Sequence, residues 1–402
     1  MKELHPEARH IVEAIAKAGF VAYYAGGWVR DYLLNRPSDD IDIATNAPPE
    51  VIQNLFPRTV PIGIAFGIIL VLQGDKEFEV ATFRNDLEYK DGRRPTKIEF
   101  TTAVEDAKRR DFTINGMFYD PLKDEILDFV GGKADLDKKI IRAIGNPHER
   151  IKEDRLRMIR AVRLSCRLKF AIDPDTVKAI IAHAKELFPA VAIERIWQEF
   201  TKMAAYPGFR DALLMLHEFH LLEVILPTLK GVTKEKLSKL SHAWDDFPPD
   251  IPVIGYILEL FPDMPIPERE KLCKYFKLSQ QEILFSEFLF HTEKLHAKKA
   301  DRWEWAHFYA NHFSTRAVQI LAARLPIHDR HLFLEKDEKR KKELLPWIER
   351  IQERRPVVTS KHLQTIGIAP GPQMGKLLQE AERIAINDNL NDPDPILKKL
   401  KL

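Results

Sequence analysis

The sequence predicts an α+β head carried on an all-α body. Strand-like patterning, meaning period-two alternation and one continuous apolar run, falls entirely before residue 150. From there to residue 402 the periodicity is helical. Strands first and helices afterwards argue for segregated layers, not for an alternating β/α chain. A chain of 402 residues has room for two or more domains with ample core.

Composition narrows the class further. Hydrophobic residues make up 45% and charged residues 30%, as in ordinary soluble proteins. No stretch approaches the ~18 apolar residues that a membrane span needs. The opening MKELHPEARHIVEAIAKAGF reads as an amphipathic helix over 6–18 and not as a secretory leader. Cys166 and Cys273 lie far apart inside helical patterns and are expected as buried free thiols. A cytoplasmic protein is expected, with no membrane and no obligate protein partner.

The chain is organised around residues 25–44, AGGWVRDYLLNRPSDDIDIA. Gly26 and Gly27 let the backbone approach a ligand closely, and the helix that follows offers free N–H groups to phosphate. After a turn-rich stretch, Asp40-Ile41-Asp42-Ile43 alternates. Asp40 and Asp42 therefore share one strand face and the isoleucines the other. Two carboxylates on one face repel unless a cation sits between them, and magnesium suits carboxylates combined with substrate phosphates. A two-metal site would place ions ~3.5–4 Å apart, one at the attacking and one at the leaving oxygen.

Residues 60–72, VPIGIAFGIILVL, read as buried strand material. Residues 76–83, KEFEVATF, alternate again and carry Glu79, either a third site carboxylate or a solvated strand residue. Residues 84–100 are polar, with Asp91-Gly92 and Pro95, and read as a mobile loop or an ordinary hairpin. Residues 105–117, EDAKRRDFTINGM, place Arg109 and Arg110 beside Asp111 and Asn115. Guanidinium clamps phosphate bidentately, while Asp and Asn suit ribose hydroxyls. Gly131-Gly132 marks a hinge or a tight turn.

The net charge is only +2, but residues 138–170 hold eleven Lys or Arg against three acids, an excess of eight positive charges. That density suggests a phosphate-binding stripe. Within it, EDRLRMIRAVR puts Asp154 and Arg157 three apart, so they are expected to share one helix face. A carboxylate accepts and a guanidinium donates, so the pair complements the amino-plus-acceptor edges of cytosine and adenine. Guanine and uracil would leave both groups mismatched, at a cost of about 1–3 kcal/mol each. The alternative is an intrahelical salt bridge.

Gly-Gly-x-Val-Arg-Asp followed by Asp-Ile-Asp resembles the polymerase β-type nucleotidyltransferase superfamily. More narrowly it resembles the class II tRNA nucleotidyltransferases, that is, the CCA-adding enzymes and their relatives the bacterial poly(A) polymerases. The string RRDFTIN at 109–115, the Gly131-Gly132 segment and Glu-Asp-x-x-Arg at 153–157 resemble further motifs of that family. Residues 193–199 and 359–378 resemble later elements more weakly.

The resemblance implies a catalytic head over 1–140, a helical neck with the base-selecting helix over 141–205, a helical body over 206–310 and a tRNA-binding tail over 311–402. It implies Asp40, Asp42 and Glu79 as catalytic carboxylates, with Asp40 and Asp42 holding Mg2+. Gly26, Gly27, Arg30, Arg110, Asp111, Asn115, Asp154, Arg157, Arg160 and Arg163 would bind nucleotide. Glu153 would orient Arg157. Arg195, four residues from Glu199, would either support the templating pair or form a plain salt bridge with Glu199. The implied activity is CCA addition to the tRNA 3′ end from CTP and ATP. Poly(A) polymerase is disfavoured because residues 62–68, IGIAFGI, lack that subgroup's basic patch. CC-only or A-only addition, and a non-catalytic RNA-binding protein, complete the alternatives.

Overall fold

A computed structural model describes residues 5–63, 66–89 and 95–400. The chain divides into two compact units, Met1–Lys234 and Glu235–Leu402. The first unit holds every strand. Seven of them form one mixed sheet in the order β3-β4-β5-β2-β1-β8-β9. These are β1 (Ala22–Ala25), β2 (Asp42–Thr45), β3 (Thr59–Gly63), β4 (Ile68–Gln73), β5 (Lys76–Thr82), β8 (Phe118–Asp120) and β9 (Glu125–Leu127). Within this sheet only β2 and β5 pair in parallel, with Ile43 opposite Val80. β6 (Arg84–Tyr89) and β7 (Pro95–Phe100) pair as a separate antiparallel ribbon. The centre of the expected 84–100 loop, residues 90–94, lies outside the described residues.

Alternation sets the faces. In β5, Phe78, Val80 and Thr82 are buried and Glu79 faces outward. In the segment entering β2, Ile41 and Ile43 are buried while Asp40 and Asp42 are exposed. The run 60–72 departs from the expectation of one buried stretch. It splits into two antiparallel strands, and β3 lies at the sheet edge with Val60 44% and Ile62 51% exposed. Only β4 contributes core, through Ile69 and Val71. Residues 64–65 of the 62–68 segment lie outside the described residues.

Helices α1 (Pro6–Lys17), α2 (Gly27–Leu33), α3 (Pro49–Leu55) and α4 (Ala103–Lys108) accompany the sheet. After α5 (Gly132–Asp137) the chain becomes helical, apart from the short parallel pair β10 (Ile140–Ile141) and β11 (Ala171–Ile172). Gly132 is the tight point of this junction. A Cβ there would stand 2.3 Å from the Thr113 carbonyl oxygen, so the position needs a glycine for backbone approach. Then follow α6 (Pro147–Glu153), α7 (Leu156–Leu168), α8 (Pro174–His183), α9 (Ile193–Ala204) and α10 (Phe209–Glu218).

One expectation is corrected here. Residues 153–163 are not one helix, because α6 ends at Glu153 and Asp154 is extended, with φ −145° and ψ 104°. The Asp154 carboxylate accepts the Leu156 amide at 3.0 Å, a local turn at the break between the two helices.

The second unit is all helical among its described residues. Its core gathers Trp305, Phe308, Leu344, Trp347, Ile348, Ala381, Ile386 and Ile396. The proline-rich stretches near 250 and 264 fall at the entrances to the helices Val253–Glu259 and Ile266–Tyr275. Thr359 caps the helix Ser360–Thr365, with His362 reciprocating. Cys166 and Cys273 are free and buried, and burial pushes the Cys166 thiol up to about 11. No helix among the described residues is long and apolar enough to cross a membrane.

Candidate active site

The site forms where β1 turns into α2. Gly26 caps that helix at φ 69° and ψ −136°, a conformation that strains any L side chain. A Cβ at Gly26 would stand 3.3 Å from Asp42 Oδ2 and 3.5 Å from Arg110 Nη1. The glycine therefore keeps open a gap bordered by one carboxylate and one guanidinium. In the β2–β5 register Asp42 lies beside Glu79, on the face opposite the buried Ile43 and Val80.

Asp40, Asp42 and Glu79 take no hydrogen bond or ion pair among the described residues. Shielding by the site walls, then the charges of Asp40 and Glu79, push the Asp42 carboxyl up to about 6. Arg110 pulls weakly the other way. No three His, Cys, Asp or Glu side chains among the described residues form a complete metal cage. The donor set is Asp42 at the first position of β2, Asp40 in the segment just before it, and Glu79 across the ladder. It is electrostatically short of positive charge and open toward the glycine turn.

Arg110 is aimed by Asp106, a residue that sequence reasoning missed. Asp106 is 1% exposed and accepts Arg110 Nε at 3.1 Å and Nη2 at 3.0 Å, and Arg109 Nε at 2.8 Å. Burial alone would raise its carboxyl, but Arg110 and Arg109 outweigh that and hold it below the usual range. The Arg110 guanidinium lies over the Phe118 ring at 4.8 Å. The signal was present: Asp106 stands three and four residues before the arginines on a helical turn.

The other expected phosphate ligands are engaged elsewhere. Arg30 is 3% exposed and gives Nε and Nη2 to Asp31 at 2.9 Å and Nη1 to Asn115 at 2.6 Å. Burial lowers its pKa, and Asp31 offsets part of that. Its guanidinium lies 3.4 Å from a Cβ built on Gly27. Asn115 donates to Asp111 at 3.1 Å, and Asp111 takes Arg160 Nε at 2.9 Å. Burial opposes ionisation of Asp111, yet Arg160 and Asn115 hold its carboxyl far below the usual range. Arg163 is 9% exposed and bonds Glu199. Arg30 and Arg163 are thus turned inward onto carboxylates. Asp111, Asn115 and Arg160 join the RRDFTIN segment to α7.

The same pairing runs through nine of the eleven cations of the basic stripe. Arg142, Arg150, Lys152, Arg155, Arg157, Arg160, Arg163, Arg167 and Lys169 each pair with a carboxylate. Most of those acids come from outside the stripe: Asp31, Asp111, Asp135, Asp173, Glu186, Glu199 and Asp211.

The Arg157 amide donates to the Asp154 carbonyl at 3.0 Å, but the two side chains bond other partners. Arg195 clamps the Asp154 carboxylate at 3.2 and 2.8 Å. Among the described residues Arg195 makes no salt bridge to Glu199, which pairs with Arg163 and Lys202. Arg157 donates to Glu153 at 2.6 Å, to the Arg150 carbonyl at 2.6 Å and to the Arg109 carbonyl at 3.1 Å. The Arg109 carbonyl also takes Arg150 at 3.2 Å. One backbone oxygen therefore links the residue beside Arg110 to the base-reading arginine.

The Poly A polymerase head domain model matches residues 22–142, and the model described as "Probable RNA and SrmB- binding site of polymerase A" matches residues 169–232. A CCA-adding enzyme of Streptococcus agalactiae is 33% identical over 98% of this chain and 96% of its own length. One from Enterococcus faecalis is 48% identical over 49% of this chain and 48% of its own. The crystal structure of the Bacillus stearothermophilus CCA-adding enzyme in complex with CTP superposes with a TM-score of 0.81 at 28% identity, covering 99% of this chain and 98% of that one. A Thermotoga maritima CCA-adding enzyme complexed with tRNA shares the fold, with a TM-score of 0.65 at 18% identity over 99% of this chain and 96% of that one. With one residue in three identical along nearly the whole length of a CCA-adding enzyme, and with this carboxylate-and-arginine site in its head, the chain belongs to the CCA-adding family of nucleotidyltransferases.

Proposed function

We propose that this protein adds CCA to the 3′ end of tRNA from CTP and ATP, in the cytoplasm, and that the residues at the glycine turn carry the transfer. The observation that supports this most is the trio Asp40, Asp42 and Glu79, left without counter-ions opposite Arg110. Unpaired carboxylates at a glycine gap suit an incoming cation and triphosphate better than they suit stability.

The residues fit Mg2+, which accepts one or two carboxylates and completes its shell with phosphate oxygens and water. Asp40 and Asp42 would hold it, with Glu79 adding negative charge beside them. When bound, such an ion activates the primer 3′-hydroxyl and offsets charge on the departing pyrophosphate. Gly26 and Gly27 leave space for the triphosphate. Arg110, fixed by Asp106 and Phe118, donates to its oxygens. Arg30, Asp111, Asn115, Arg160 and Arg163 act as the buried frame that fixes α2, the RRDFTIN turn and α7 relative to each other.

Base choice falls to Asp154 and Arg157. Arg195 holds the Asp154 carboxylate but leaves acceptor capacity for an amino group. Glu153 and two carbonyls hold Arg157, so its remaining donors meet a ring acceptor at a fixed place. Cytosine and adenine satisfy both groups, and guanine and uracil satisfy neither. The head, neck, body and tail boundaries expected above belong to this proposal, with the helical body and tail gripping the acceptor arm by phosphate and shape.

The test is incorporation on a tRNA transcript lacking its 3′ CCA, with each labelled nucleotide supplied singly and then together. Two C additions followed by one A support the proposal. Long A tails would mean poly(A) polymerase, and C-only or A-only products a partial enzyme. No incorporation would leave only RNA binding.

A further inference from the structure

The second unit carries a basic notch of about 400 Å³. Residues 298–300, between the helices Gln280–Ala297 and Arg302–Ala310, form one wall, and the helix Ile327–Gln352 forms the other. The floor is the buried Trp305 and Leu344. Arg340 lies over the Trp305 ring at 3.8 Å. His296 meets the same ring edge-on, and its Nε2 has no hydrogen-bond partner.

The cations here differ from those of the neck. Lys298 is tied to Glu304, and Arg340 has Asp337 at 3.8 Å, with Glu343 at the lip. Lys299 and Arg302 have no carboxylate partner among the described residues. Arg302 is held by its stem, since Nε donates to the Ile386 carbonyl at 3.1 Å, which leaves both terminal nitrogens to project. A guanidinium fixed in this way keeps a two-pronged donor for a phosphate.

We propose that this notch binds a phosphodiester of the RNA substrate, with Lys299 and Arg302 as the direct donors and Arg340 as the third cation. The site takes backbone charge without sequence preference, as a phosphate contact does. The inference rests on tRNA being the substrate.

Equilibrium binding of CCA-less tRNA to the full-length protein, without nucleotide and across a salt series, tests it. Lys299→Glu leaves the Arg302–Ile386 contact intact and so keeps the fold, while Lys299→Ala/Arg302→Gln removes both donors. Both should weaken tRNA binding by roughly tenfold or more, Lys299→Glu lowering the salt slope by about 1 and the double variant by about 2, with KM for CTP and ATP unchanged. Wild-type tRNA affinity and slope in both variants would overturn the inference. So would a loss of inorganic phosphate or ATP binding with tRNA binding intact, because the notch would then hold a small anion. Failure of the proposed function shows separately, as wild-type protein that binds tRNA and incorporates nothing.

Discussion

The catalytic strand and the neck handle charge in opposite ways. At β2 and β5 three carboxylates stand together with no bonded partner, and desolvation, followed by the charges of Asp40 and Glu79, raises Asp42 to about 6. Along the neck, nine cations each have a carboxylate. Charge compensated inside the fold is scaffold. Charge left uncompensated identifies a place where a ligand supplies the counter-charge. On this view the head is poised for a cation and a triphosphate, and the neck is a rigid frame despite its composition.

The largest effect should come from removing the uncompensated charge. Asp42→Ala should lower incorporation by about a thousandfold or more, the several kcal/mol attributed to metal-assisted transfer. Thermal stability should hold or rise, because a repelling carboxylate is gone, and tRNA binding should survive. Loss of folding with loss of activity would break the comparison by making Asp42 part of the scaffold.

The neck should respond in the reverse sense. Glu199→Gln leaves Arg163, whose side chain is 10% exposed, without its buried partner. Removing one member of a buried pair costs about 3–5 kcal/mol. The melting temperature should fall accordingly, while molecules still folded at low temperature keep CTP and ATP incorporation near wild type. An unchanged melting temperature with abolished incorporation would return Arg163 to the triphosphate.

This contrast also explains which features were legible. The glycine turn, the Asp40/Asp42 alternation and the strand carrying Glu79 follow from local spacing; burial alternates over residues 40–43 and along β5, although β2 itself begins only at Asp42. The neutralised stripe was not legible, because counting charges in a window cannot see Asp31, Glu199 or Asp211 arriving from other elements. The Asp154 break was hidden for a related reason. EDRLRM has strong helical propensity, but tertiary partners override it: Arg195, forty-one residues away, clamps Asp154, and the Leu156 amide prefers its carboxylate. Asp106 was the reverse case, visible in the spacing yet overlooked beside the arginines it holds.

A third way to handle charge is to lose the proton, and His296 does so. Burial, helped by Arg340, pushes its pKa down to about 4 from an ordinary 6.5. The unfolded chain gains a proton as pH falls through 6.5, and the folded chain does not until about 4. Stability should therefore fall as pH drops across that window. Melting temperature against pH should show this slope in the wild type and a shallower one in His296→Phe. Equal slopes would mean that His296 is charged in the folded protein.

The smallest effect is the one that discriminates most sharply between frame and binding surface. Arg155 sits in the middle of the stripe and pairs with Glu186 at 3.0 Å, the two side chains being 21% and 44% exposed. An ion pair that open to water contributes less than about 1 kcal/mol. If the stripe is frame, Arg155→Ala should barely move the melting temperature and should leave tRNA affinity and its salt slope unchanged. If the stripe grips phosphate despite its pairing, the same change should weaken tRNA binding and lower the slope by about 1 with stability intact. The second outcome would mean that RNA displaces the Glu186 carboxylate from Arg155, so that compensation within the fold does not mark a group as structural.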